Sequence, residues 1–331
     1  MKLGVCSTLY RFLPLEQGMD SVVAAGLNVI ELACGGYLGY GLCNPVELLA
    51  DDAKLKKFLK VFGDRGIEIN ALAAHGNPLH PQAEIREQHQ KDFRNAILLA
   101  ERIGIDKVIN FSGCPGDSEE AKYPNWCVVP WPSDYAEVLE WQWENKVIPY
   151  WQEVAQFAAD HNVNRVAIEL HPGFVVYNVR TMLRLREAAG PVIGANMDPS
   201  HLFWQSADPV RAVLALGGAI FHVHLKDTAF NPDLSPVHGV LDTTSVRDIP
   251  NRCWTFRTVG YGHDALFWKQ FISALQQVGY EDAVCIEHED RLIGGQEGLQ
   301  KSLAFLKDIV IKQRGGQDWW LRPDEGGAAK D

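Results

Sequence analysis

Short β-like runs and longer helix-like runs alternate along this chain eight times, and that alternation limits its fold more than any other feature. The strand candidates are LGVCST (3–8), NVIELA (28–33), IEINALAA (67–74), KVINFS (107–112), RVAIEL (165–170), VIGANMD (192–198), IFHVHLK (220–226) and AVCIEH (283–288). Between them lie amphipathic segments such as VELLADDAKLKKFLKVFGDRG, REQHQKDFRNAILLAERIG and VIPYWQEVAQFAADHNV. Several end in a glycine before the next strand (Gly26, Gly66, Gly104, Gly190, Gly279), a residue that tolerates the left-handed closure of a helix. Repeated β–α units require parallel strands, and eight of them predict a closed (β/α)8 TIM barrel. An open, doubly wound sheet is the structural alternative. With 331 residues, 47% of them hydrophobic, the chain suits one such domain over 1–314. The tail, 315–331, is expected to be mostly disordered beyond its Trp pair.

The phase of the strands favours the barrel. Strand side chains alternate faces with period two. In the fifth run Val166, Ile168 and Leu170 share one face, while Ala167 and Glu169 share the other and His171 continues it. In the seventh, Phe221, Val223 and Leu225 oppose His222, His224 and Lys226. In the sixth, Ile193, Ala195 and Met197 oppose Gly194, Asn196 and Asp198. In the eighth, Val284 and Ile286 oppose Ala283, Cys285 and Glu287. Each apolar face suits a layer of helices. Each opposite face suits the barrel interior and ends in an ionisable group at the C-terminal mouth, where active sites of such barrels sit.

Two excursions break the spacing: 112–135 after the fourth strand and 228–264 after the seventh. Both are rich in Pro, Gly, Trp and Tyr, and both fall on the mouth side. They are read as lids or as subunit contacts. The net charge of −11, with no basic block, argues against a nucleic-acid partner. Seven cysteines, an odd number with no CxxC pair, read as a reduced cytosolic set. The opening MKLGVCSTLYRFLPLEQ has no sustained apolar run, and no segment reaches the roughly 18 apolar residues of a membrane span. A cytoplasmic protein without membrane contact is therefore expected.

Glu169, Asp198, His224 and Glu287 end consecutive strands on the inner face. Three carboxylates brought together repel, which raises at least one pKa. A divalent cation removes that conflict. Three oxygen donors and one imidazole suit Mn²⁺ first, with Mg²⁺ or Co²⁺ as alternatives; Zn²⁺ is less favoured without thiolates.

IELHPG, NMDPSH, HVHLKD and IEHED resemble the motifs of the xylose-isomerase-like barrel superfamily of sugar isomerases and epimerases. The resemblance runs from CSTLY to the helix after IEHED, and it places that family's metal ligands on the same four residues. It implies that His201 contacts substrate, as in ketose 3-epimerases. Those epimerases also carry an Arg six residues beyond the ligand His, where this chain has Phe230. Length and the Pro/Trp-rich loop after strand four are most similar to the large subunit of bacterial C-glycoside deglycosidases. That likeness implies a substrate already oxidised to a 3-oxo sugar and a small second subunit; a homo-oligomer is the other assembly considered.

Both likenesses imply removal of a proton from a carbon beside a carbonyl. In an epimerase, Glu169 and Glu287 would work on opposite faces of that carbon. In a C-glycoside enzyme, a ketone at C3 makes the C2 proton acidic and the group on C1 leaves by β-elimination. His171, one pleat beyond Glu169, is then the expected base. His75, Lys226 and Glu31 are expected to meet sugar oxygens, and Trp126, Trp131 and Tyr123 to stack on a sugar or flat aglycone. An apurinic-site nuclease, the remaining enzyme of this superfamily considered, would want more metals and a basic surface.

Overall fold

The computed structural model describes residues 1–313 and 315. Its strands are β1 (Lys2–Cys6), β2 (Val29–Ala33), β3 (Glu68–Ala73), β4 (Lys107–Phe111), β5 (Arg165–Glu169), β6 (Ile193–Met197), β7 (Ile220–Leu225), β8 (Asp227–Phe230), β9 (Trp254–Arg257) and β10 (Ala283–Ile286). Eight are parallel and close into a barrel in the order β1-β10-β7-β6-β5-β4-β3-β2. Each barrel strand lies within an expected run, except that β1 starts one residue early, at Lys2. The disorder expected for the tail falls outside the described residues. Among the described residues no helix is long and apolar enough to cross a membrane.

Helices form where apolar residues recur at helical spacing. The helix Ala83–Ile103 buries Phe93, Ala96, Ile97, Leu99 and Ala100 on one side. It stops at Gly104, whose φ of 77° is the left-handed closure that a side chain resists. The outward strand residues Val166, Ile168 and Leu170 join these helices in the main core. Inside the barrel, Ala71, Ala73, Ile109 and Ala167 form a separate small-residue set.

One outward assignment changes. Phe221 was expected to face the helices with Val223 and Leu225. The β6–β7 register shifts between Ala195 and Asn196, so Ile220 pairs with Ala195 but His222 pairs with Asn196. Phe221 is the extra residue of that bulge, and its ring packs on the inner set. It fits because residue 194 is glycine: a Cβ there would stand 2.5 Å from the ring.

The N-terminal floor of the barrel is an ionic network. Lys107, fully buried, donates from Nζ to Asn70 Oδ1 and Asp282 Oδ2, both at 2.8 Å. Arg165 reaches Asp282 at 2.7 Å and also pairs with Asp106. Lys107→Ala leaves the half-buried Asp282 carboxylate with one cation fewer and opens a buried void. It should destabilise the protein by roughly 3–5 kcal/mol, read as a lower urea midpoint with an unchanged m-value.

Candidate functional site

The four donors arrive from four neighbouring strands. Glu169 ends β5, Asp198 follows β6, His224 lies in β7 and Glu287 follows β10. One donor atom of each lies within 4.8 Å of the other three. Asp198 is aimed by its own backbone turn. It caps the helix Pro199–Phe203, with Oδ1 accepting from Ser200 N at 2.8 Å. Its buried Oδ2 makes no hydrogen bond and stands 3.1 Å from Lys226 Nζ. A buried carboxylate oxygen whose nearest cation is an ammonium shared with two other acids, set among two further carboxylates and an imidazole, suits a divalent-cation site. The residues fit such an ion.

His224 is oriented for the same purpose. Its Nε2 donates to Glu31 Oε2 at 2.8 Å. Burial lowers the imidazole pKa, but Cys6, Glu31 and Glu287 around it raise it well above the usual value, and the ring keeps a proton on Nε2. Its Nδ1 then faces the carboxylates, 3.3 Å from Glu287 Oε2 and 3.6 Å from Glu169 Oε2. Metal-bound imidazoles are usually held this way, by a carboxylate on the far nitrogen. Glu31 also accepts from His222 Nε2 at 2.8 Å. Burial favours its neutral form, but His224 and His222 hold the carboxyl well below the usual range. The expectation that Glu31 meets sugar therefore changes. It lies beneath His224 and is absent from the cavity wall. Glu31→Gln should weaken Mn²⁺ binding about 10–100-fold, measured by calorimetry; unchanged affinity would remove its orienting role.

Above the donors is a cavity of about 470 Å³, whose wall includes Glu169, Glu287, His75, His171, Lys226 and Phe111. A larger open groove of about 750 Å³ lies between the helices Pro209–Leu216 and Ala265–Gln277 and contains none of these side chains. His75 Nε2 is 2.9 Å from Glu169 Oε2, and His201 Nε2 is 3.0 Å from Glu169 Oε1. His75 lines the cavity; His201 stands behind Glu169 instead of on the wall. Lys226 Nζ is 2.6 Å from Glu287 and 2.8 Å from Glu289, and lies over the Phe256 ring at 4.6 Å.

His171 lies against Phe111 and Phe174, with its ring centroid 4.1 Å from that of His201. Its Nδ1 donates to Pro172 O at 2.6 Å. A carbonyl only accepts, so Nδ1 carries the proton and Nε2 the lone pair. Burial, with His201 beside it, pushes the imidazole down to about 3, which keeps it neutral near pH 7. His171 also belongs to a second group of close donors, with Glu169 and His201.

The excursion after β7 holds more order than its composition indicated. β8 and β9 pair antiparallel, Asp227 opposite Arg257 and Phe230 opposite Trp254. Asp227 pins the return: its Oδ2 accepts from Gly260, Gly262 and His263 backbone N–H groups, each at 3.0 Å. Trp126 of the other excursion packs with Trp204, Cys253 and Trp254, which joins the two excursions. Trp131 and Tyr123, 80% and 70% exposed, take no part in the cavity wall. Sequence reasoning missed Glu289, although it continues the period of Glu287. It also missed Phe111, Tyr37, Arg11 and Arg291; Tyr37 lies in the short 3-10 turn Gly36–Leu38 and the two arginines on loops, where no periodicity marks them.

Residues 19–309 match the family described as xylose isomerase-like TIM barrel. The chain belongs to that family. Another protein, YfiH of Bacillus subtilis (strain 168), described as uncharacterized, is 37% identical over 312 residues, 94% of this chain and 99% of that one. Among solved structures, this barrel resembles AsbF from Bacillus anthracis, a probable 3-DHS dehydratase (TM-score 0.65, 16% identity, 93% of this chain and 99% of that chain). It also resembles the IolI protein with a bound zinc atom (TM-score 0.63, 18% identity, 94% and 98%). A D-psicose 3-epimerase in the presence of D-fructose is a third (TM-score 0.59, 15% identity, 94% and 99%). At these identities the likeness of this family member to the three is one of fold.

Proposed function

We propose that this barrel is a divalent-metal-dependent sugar lyase that removes a proton from the carbon beside a carbonyl. The preferred substrate is a 3-oxo-glycoside whose aglycone leaves by β-elimination, as in the C-glycoside deglycosidases. The observation that carries this reading is His171: a neutral imidazole on the cavity wall, its Nδ1 spent on Pro172 and its Nε2 lone pair available.

Glu169, Asp198, His224 and Glu287 would hold the cation. When bound, it would polarise the substrate carbonyl and stabilise the enolate that follows proton loss. His171 Nε2 takes the C2 proton. The C2–H electron pair becomes the C1–C2 double bond, and the bond to the aglycone breaks with its pair. Protonation of the departing group, by water in this scheme, completes the balance. Lys226 stands beside Glu287 and Asp198, where its charge steadies negative charge growing on a substrate oxygen. His75 and His201 hold the two oxygens of Glu169. That arrangement favours His171 over Glu169 as the base. A small second subunit, resting on exposed residues such as Trp131, belongs to the same reading.

The second reading is a ketose 3-epimerase. It is favoured by one observation: Glu169 and Glu287 both line the cavity, as a pair working on opposite faces of one carbon must. Incubation of the Mn²⁺-loaded protein with a 3-oxo-glucoside, and separately with D-fructose, in D₂O separates the two. Aglycone release supports the lyase. Deuterium uptake into the ketose without release supports the epimerase. Neither would reject both.

A further inference from the structure

We infer that the side of the cavity mouth formed by the loops after β1 and β10 binds an anionic group, a phosphate or a carboxylate, carried by the substrate. The inference rests on the sugar-enzyme reading of the same cavity and adds the chemical class of the substrate.

Arg11 and Arg291 both line this cavity. They come from loops after β1 and β10, which are neighbours in the barrel. Among the described residues neither guanidinium has a carboxylate within salt-bridge distance, as is also true of Arg86, Arg180, Arg186, Arg247 and Arg252, but these two share one cavity wall. Arg11 lies instead against the exposed ring of Phe12, 4.5 Å from its centroid. The acids next to Arg291 pair with other cations or backbone N–H groups. Glu289 pairs with Lys226, and Asp290 with Arg257 at 3.1 Å and the Thr258 N–H at 2.8 Å. Two free guanidinium groups on the rim of an acidic site, in a chain of net charge −11, repay no internal carboxylate. Their planar donor forks match a phosphate or carboxylate in two-point contact.

The backbone adds to the same place. The helix Gly295–Leu306 begins four residues after Arg291, and its cap residue, Gly294, offers no side chain to the first-turn N–H groups. A Cβ on Gly295 would stand 2.4 Å from Leu9 Cδ1 and 3.9 Å from the His288 ring, and Leu9 and His288 both line the cavity. The start of a twelve-residue helix, with its partial positive charge, therefore lies against two residues of the same cavity wall. Barrels of this architecture frequently bind phosphate with the loops after their last strands and a helix start.

The test is direct binding. Wild type and the double variant Arg11→Gln/Arg291→Gln are titrated calorimetrically with inorganic phosphate, D-glucuronate and D-glucose, each in the Mn²⁺-loaded and the chelated state. Both side chains are exposed, so the variant should keep its fold, checked by circular dichroism. The expected result is that an anion binds wild type in both states and binds the variant at least tenfold more weakly, with glucose unaffected. Loss of phosphate affinity identifies a phosphorylated substrate; loss of glucuronate affinity identifies an acid sugar or a carboxylated aglycone. Equal affinity in the variant, or no anion binding to wild type, overturns the inference. These outcomes are separate from the D₂O assay: an anion site stands without turnover, and turnover of neutral sugars without an anion site leaves the lyase reading intact.

Discussion

His171→Gln is expected to lower aglycone release from a 3-oxo-glucoside by roughly 10²–10⁴-fold while bound metal stays at the wild-type level. Glutamine keeps a hydrogen-bonding group of similar reach but has no lone pair of useful basicity. The fold should tolerate it, because the ring rests on Phe111 and Phe174 and its one hydrogen bond is to its neighbour Pro172. Turnover and metal content must be read together. Lost turnover with metal retained assigns His171 the proton. Lost turnover with lost metal makes His171 a ligand, in the alternative donor group with Glu169 and His201. Full activity removes it from the chemistry.

Removing the cation should have the larger effect. Dialysis against EDTA is expected to abolish both aglycone release and deuterium exchange, and Mn²⁺ should restore them. The reason is electrostatic. Glu169, Asp198 and Glu287 crowd together, and Lys226 supplies one positive charge to the group. Without a Lewis acid, one ammonium must stabilise the enolate while already shared by Glu287, Glu289 and Asp198. The same ion should stabilise the fold: at a free concentration 100 times its Kd the linkage contributes about 2.7 kcal/mol, visible as a rise in Tm. Activity that survives exhaustive chelation would contradict the metal requirement.

How much of this could be read from the sequence depended on periodicity. Barrel strands carry two regular signals, a β–α repeat and a two-residue alternation, so all eight strands were legible, and so was the convergence of Glu169, Asp198, His224 and Glu287. The alternation failed at Phe221, because a bulge inserts one residue and resets the phase without any mark in the local composition. It also misplaced the purpose of Glu31. The residue does point inward, but only the β2–β7 geometry reveals that two imidazoles reach it first. The β8–β9 hairpin was hidden because its strands are four residues each and lie 23 residues apart, beyond the range of any local turn signal. Lys107 was missed for a similar reason. Its partners Asn70 and Asp282, and Arg165 that shares Asp282, lie in or just before three other strands, so the network exists only once the barrel closes.

The most direct test is a calorimetric titration of chelated protein with Mn²⁺, for wild type and for Asp198→Ala. Asp198 is the decisive position because its buried Oδ2 faces the other donors and is met within the protein chiefly by the shared Lys226 ammonium. The account predicts one equivalent of metal on wild type and binding weakened at least a hundredfold in the variant, beyond the single-ligand losses of about 10–100-fold seen for outer groups. No binding to wild type, or the same affinity and stoichiometry in both, would contradict it.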